Sequence, residues 1–379
     1  MACIHKDVVC VYESSTMSRD RKSRPRQIRW APALALFGIA AVGCAAGRGA
    51  SEASNGRSSS HPPGYHRVRT IHLGGEGRWD TLTFDLSSRR LFIARETHVV
   101  VLDVDRERVV GEIPDTEGVH AVAVAPDLGR GFTSNGRAGT VTIFDLKTLA
   151  VLKQVPVGQN PDAIVYDHAS QRVFAMNGRS DDVSIIDVKT GTVIATLPLG
   201  GRPEFGVADG LGALYVNLED KGEAIRMSTQ TTSITARWPL APCIGPSGIA
   251  IDTAARRVFA ACANRTMIVL DADSGQAVAT LPIGAGVDGA AFDAGNGLAF
   301  SSNGEGTLTV VGKTSTGSYA VLEDVATQRG ARTMALDPAR HQVLLATADF
   351  EPAPASTGST PPARPQPVPG TFAILVFGR

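Results

Sequence analysis

The apolar positions of this chain come in short runs of four to six residues, cut apart by Gly, Asn, Asp and Ser. The stretch Pro161 to Gly201 shows the unit most clearly. Ala163–Tyr166, Arg172–Met176, Val183–Asp187 and Thr192–Leu197 are β-prone, and Asp167–Gln171, Asn-Gly-Arg-Ser and Lys-Thr-Gly lie between them. Runs of this length, punctuated by turn formers, predict antiparallel strand–turn–strand structure. Nothing in the unit keeps a 3.6-residue spacing for a dozen residues, so helical repeats of similar length are excluded.

The same pattern is written seven times, beginning at Trp79-Asp80, Val119-His120, Pro161-Asp162, Pro203-Glu204, Pro246-Ser247, Val287-Asp288 and Ala331-Arg332, in steps of 40, 42, 42, 43, 41 and 44 residues. A period of about 40–45 residues with four strands per unit predicts an all-β chain, a seven-bladed β-propeller of four-stranded antiparallel blades. Landmarks recur inside each unit. Five residues past the opening pair stands Asp85, Ala125, Asp167, Asp209, Asp252, Asp293 or Asp337, where a short carboxylate stabilises a turn. Six or seven residues further on comes Phe92, Phe132, Phe174, Tyr215, Phe259, Phe300 or Leu344, bulk for the gap between stacked sheets. Val68 to Leu73 reads as a strand with no unit of its own, and the last unit ends after its third strand, Thr371–Val376. The N-terminal strand is therefore expected to complete the C-terminal blade, which removes the free edges of an open array.

Phe132-Thr133-Ser134-Asn135, Phe174-Ala175-Met176-Asn177 and Phe300-Ser301-Ser302-Asn303 resemble the signature of the YVTN-type β-propeller repeat family. The Gly-x-x-Pro entry to the next unit, as in Gly158-Gln159-Asn160-Pro161, is similar to the same family. The resemblance covers nearly all of 65–379. It implies a seven-bladed, usually extracytoplasmic propeller among surface, binding and accessory proteins, and it implies no single activity. Tyr215-Val216-Asn217-Leu218 and Leu344-Leu345-Ala346-Thr347 depart from the signature, so the fourth and seventh blades are expected to be irregular.

In a propeller the first strand of each blade lines the central channel, so the position just before it faces one channel mouth. The seven residues there are Asp80, His120, Asp162, Glu204, Ser247, Asp288 and Arg332, all polar ahead of mostly apolar positions. Arg332 would lie between Asp288 and Asp80 once the ring closes, a charge-compensated trio. His120, Asp162 and Glu204 on consecutive blades then remain without a cation. An imidazole with two carboxylates suits a divalent cation or a cationic group on a ligand; a ring that is merely solvated is the other reading. The loops between second and third strands should emerge at the same mouth. In the last unit that loop is a Pro-rich insertion, 350–370, which reads either as a lid or docking arm or as an insertion tolerated on a surface loop.

Ahead of the repeats, a basic run from Arg19 to Arg29 leads into Trp30–Val42, 13 apolar residues that end at Gly43-Cys44. This is too short for a membrane span and fits a secretory signal. Ala41-Val42-Gly43-Cys44 resembles a bacterial lipobox, which implies lipidation at Cys44, and residues 1–16 fit no part of a signal, so Met17 fits a true start. The expected organisation is an export segment over 1–44, a Gly/Ser-rich tether over 45–64 and the propeller over 65–379. Of 37 basic and 37 acidic residues, seven and three lie in 1–44, leaving 30 against 34 in the remainder. That balance disfavours nucleic acid as a partner. Cys243 and Cys262 sit at neighbouring strand ends near one edge of the fifth unit, where a disulfide or two buried thiols both fit.

No Gly-x-Ser-x-Gly, His-Glu-x-x-His, Cys-x-x-Cys-His or phosphate-loop sequence occurs. The expectation is an exported, periplasmic or cell-surface, monomeric binding or scaffold protein. Its channel mouth would be offered to a partner protein, a glycan or a small ligand, and it would touch a membrane only through a lipid anchor. The alternative is a metal-assisted hydrolase or lyase built on His120, Asp162 and Glu204.

Overall fold

The computed structural model describes residues 64–352 and 365–379, so Cys44, the export segment, most of the tether and the middle of the Pro-rich insertion lie outside the described residues. Twenty-eight strands, β1 to β28 in chain order, form seven separate four-stranded antiparallel sheets arranged as a β-propeller. The third blade shows the plan. Its strands are β10 (Pro161–Asp167), β11 (Arg172–Asn177), β12 (Asp182–Asp187) and β13 (Thr192–Pro198), paired in that order from the channel outward. The middle strands β11 and β12 are buried on both faces because each blade is sandwiched between two others, so they read as nearly unbroken apolar runs. The outermost, β13, alternates exposed and half-buried positions along TVIATLP, the period of a strand with one wet face. Phe92, Phe132, Phe174, Tyr215, Phe259 and Phe300 are fully buried between sheets.

Ring closure follows the expected route. The strand β1 (His66–His72) pairs antiparallel with β28 (Ala373–Gly378), which pairs with β27 (Gln342–Thr347), which pairs with β26 (Met334–Asp337). Ile71, Leu344 and Ile374 of this composite blade pack with Leu82, Leu91 and Leu102 of the first. On the face opposite the mouth, polar clasps tie neighbouring blades. Arg89 grips Asp337 at 2.6 Å, Arg256 grips Asp209 at 2.9 Å and His341 meets Asp293 at 2.8 Å. These repeated Asp residues thus do two jobs: Asp337 also accepts from the Ala339 amide at 3.1 Å, and Asp209 from the Leu211 amide at 2.8 Å, each within its own turn. The fourth blade, expected to be irregular, has four full strands. Among the described residues no helix is long and apolar enough to cross a membrane.

Candidate functional site at the channel mouth

Five of the seven mouth residues lie inside the inner strands, whereas the sequence pattern places them just before those strands. His120 is the second residue of β6 (Val119–Ala125), Asp162 of β10, Glu204 of β14 (Pro203–Ala208), Ser247 of β18 (Pro246–Asp252) and Asp288 of β22 (Val287–Asp293). In each of these strands the pairing register shifts just there, for example between Pro161 and Ile164 or between Pro203 and Gly206. A bulge turns a side chain out of the pleat, and here it frees the second residue from the ladder.

The neighbouring blade then holds that residue's backbone. Thr81 Oγ1 donates to the His120 carbonyl at 2.8 Å, Asn217 Nδ2 donates to the Ser247 carbonyl at 2.8 Å, and Ser134 and Ser302 donate to the carbonyls of Asp162 and Arg332. The Asn of the signature caps its own hairpin at the same end: Asn135 Nδ2 donates to Thr140 and Thr142, and Asn303 Nδ2 to Thr307 and Thr309. A rigid rim results, with its side chains preorganised.

Charges on the rim group differently from the expected trio. Arg332 pairs with Asp288 at 3.4 Å, whereas Asp80 turns the other way and meets His120 Nδ1 at 2.7 Å. Asp162 lies 3.8 Å from the same nitrogen. His120 is therefore the cation of a three-residue cluster and not an uncompensated ligand. Ser247 is buried and donates to the Asp288 carbonyl at 3.3 Å, so it serves the rim's backbone.

Partial burial would by itself lower the His120 pKa. The Asp80 hydrogen bond and the Asp162 charge outweigh it and push the pKa up to about 9. Burial raises Asp162 to about 6 against the pull of His120, with Asp80 and Glu219 adding to the rise. Glu204 is pushed up to about 8 by burial and then by repulsion from Asp162, Glu219 and Asp288, with Arg202 opposing. Near neutral pH this sector holds a charged imidazolium, a largely ionised Asp162 and a largely protonated Glu204.

Three members of the sector went unread in the sequence: Asn160, Arg202 and Glu219. Asn160 hydrogen-bonds His120, and Arg202 pairs with Glu219 at 2.7 Å beside Glu204. A signal for them exists. The residue before each opening pair is glycine in four copies (Gly118, Gly245, Gly286, Gly330) and is Arg78, Asn160 or Arg202 in the others. The residue after β11 is Gly178, and its counterparts include Gly136 and Gly304, but Glu219 in the fourth blade. Departures from glycine mark where this repeat has put side chains at the mouth.

The opposite side of the mouth, where the sixth, seventh and first blades meet, differs in kind. Arg78, Arg329 and Arg332 line a cavity of about 310 Å³ together with Trp79, Phe350 and Pro367. The described base of the Pro-rich insertion is its wall. Phe350 bridges Pro367, the Glu351 amide donates to the Gln366 carbonyl at 2.9 Å, and Arg78 donates to the Pro365 carbonyl at 3.1 Å. Trp79 packs against Phe350 and Phe372 with ring centroids 6.0 and 5.0 Å apart.

Among the described residues, no three His, Cys, Asp or Glu side chains converge as a set that could hold a metal ion. In the fifth blade, between the two sectors, Cys243 and Cys262 are joined by a disulfide, with Cα atoms 5.6 Å apart.

No protein-family model matches the chain, and no curated protein matches it. Solved structures match in number, 1836 chains, which marks the fold as widespread and uninformative about activity. One is a chain in the crystal structure of the mitotic checkpoint complex, with a TM-score of 0.64 and 15% identity over 74% of this chain and 90% of that one. At that identity the likeness is one of fold.

Proposed function

We propose that this protein is an exported propeller of the YVTN type that works as a binding or scaffold protein, its acidic sector receiving a cationic group of a partner. The observation that carries the reading is the electrostatic state of Asp162 and Glu204. Both carboxyl groups are held above their ordinary range, and the cations that oppose this are already engaged, His120 with Asp80 and Arg202 with Glu219. A lysine or arginine side chain of a partner protein entering the mouth would let Glu204 ionise beside the already ionised Asp162, so the repulsion stored in the free protein returns as binding energy. Two further observations support the reading. The propeller is a rigid platform that in the mitotic checkpoint complex forms part of a protein assembly, and a disulfide between Cys243 and Cys262 suits an oxidising compartment. A basic peptide should bind and raise the melting temperature, and Asp162→Asn and Glu204→Gln should each weaken that binding. Equal binding of basic and acidic peptides, or no loss in either variant, would overturn the proposal. Retention of membrane association and lipid mass in Cys44→Ser would refute the anchor.

A second reading, a metal-assisted hydrolase or lyase, draws on Glu204, since a carboxyl group protonated near neutrality is a ready general acid. An ion held by His120 and Asp162 would have to displace the imidazolium proton shared with Asp80. Metal content of the purified protein, read beside melting with and without chelator, decides it. A stoichiometric divalent ion that is lost together with stability in Asp162→Asn supports the enzyme; no ion and no chelator effect leaves the binding reading.

A further inference from the structure

The cavity across the mouth from the acidic sector is a built site of opposite character. Its lining contains three arginines and no aspartate or glutamate. Arg329 is exposed, and its guanidinium meets no carboxylate among the described residues. Arg332 has one long pairing, 3.4 Å to Asp288, and remains 44% exposed, enough to engage a second anion. Trp79 and Phe350 supply two half-buried aromatic faces beside these cations, and each ring is fixed by its neighbours. Space is kept by glycine: a Cβ on Gly330 would run into the Phe350 ring, and one on Gly304 would lie 3.0 Å from the Gly286 carbonyl oxygen. The volume, about 310 Å³, is at the lower end of the range for small-molecule sites.

We infer that this cavity binds a small organic anion, its carboxylate or phosphate held by Arg329 and Arg332 and its ring or apolar body packed on Trp79 and Phe350. Guanidinium groups match planar oxyanions through paired N–H donors, and the aromatic walls reward a flat body over a bare ion. The site is separate from the acidic sector, so it does not depend on the partner reading above.

Calorimetric titration of the full chain with benzoate, phenyl phosphate, benzamide and benzylamine tests the inference. Benzoate or phenyl phosphate should bind, with benzamide at least roughly ten-fold weaker, since a charge-assisted hydrogen bond contributes more than a neutral one. Preference between the two anions identifies carboxylate or phosphate as the native head group. Arg329→Gln, at an exposed residue with no ion pair among the described residues, should weaken the preferred anion roughly ten-fold at unchanged melting temperature, and Trp79→Leu should weaken benzoate more than it weakens acetate. Benzamide binding as tightly as benzoate, or no detectable anion binding, would overturn it. So would undiminished binding in an Arg329→Gln, Arg332→Gln double variant.

Discussion

The two sectors of the channel mouth are made from the same positions of the same repeat, yet one stores negative charge and the other positive. In the second to fourth blades the bulged second residue is His120, Asp162 or Glu204, and the flanking loops add Asn160, Arg202 and Glu219. In the seventh blade the equivalent position, just ahead of β26, is Arg332, and Arg78, two steps earlier in its own repeat, comes round from the first blade beside it. Glycines at the intervening positions keep this second side open, whereas larger side chains fill the first. The fold supplies seven equivalent brackets, and the choice between glycine and a charged residue at each decides whether the rim there is a cavity or a charge cluster.

The comparison breaks most visibly at His120, the cation that lets Asp80 and Asp162 stand together. Fully buried pairs cost about 3–5 kcal/mol to break, but at 27% exposure for His120 and 33% for Asp162 a smaller cost, about 1–2 kcal/mol, is expected for His120→Gln near pH 6. The folded-state pKa is raised from its unfolded value of 6.5 to about 9. The stabilisation is therefore complete below the unfolded value and fades as pH rises through about 9. Urea midpoints of wild type and variant should converge by about pH 10. A difference that stays constant with pH would show that His120 stabilises by packing and not by charge.

Glu204 gives the opposite sign. A carboxyl whose folded pKa is raised binds its proton more tightly when folded, so the fold loses stability as pH climbs from about 4.5 through about 8. Glu204→Gln escapes that loss. It should be more stable than wild type by about 1 kcal/mol at pH 9 and indistinguishable from it near pH 4, after allowing for the partial exposure of Glu204. Thermal melts at the two pH values check this. If a basic peptide saturates the sector, the advantage of the variant at pH 9 should vanish, because the bound cation stabilises the ionised Glu204 of the wild type.

Strand positions and ring closure were legible because both rest on local signals, period-two burial and turn residues, repeated seven times. In the third blade the predicted runs fall within two residues of β10 to β13, and Val68–Leu73 nearly coincides with β1. The rim was legible as a set of polar positions but not as a set of pairs. Whether Asp80 turns toward Arg332 or His120 depends on how the entries of three adjacent blades sit in space, only that of His120 being bulged, and no spacing along the chain encodes it. Asn160, Arg202 and Glu219 were missed for a related reason: they sit in loops, where only comparison among the seven copies shows that a side chain has replaced glycine. The wall formed by Phe350 and Pro367 was invisible because a Pro-rich composition reads as surface insertion until its base is seen bridged.

Gly330 offers the smallest and most local test of the comparison. Its φ of +84° is a conformation that L residues adopt at a cost, and an added Cβ would displace the Phe350 ring from the cationic cavity. Gly330→Ala should cost about 1 kcal/mol through backbone strain. Since the residue lies across the mouth from His120 and Glu204, the pH dependence of stability should keep its wild-type shape while the whole curve moves down. The Trp79 environment should change in the same variant, because its neighbour Phe350 moves, and an emission shift that disappears in a Trp79→Phe background would assign it. A changed pH profile would mean instead that the two sides of the rim are coupled through the ring, and that the charge cluster and the cavity respond as one unit.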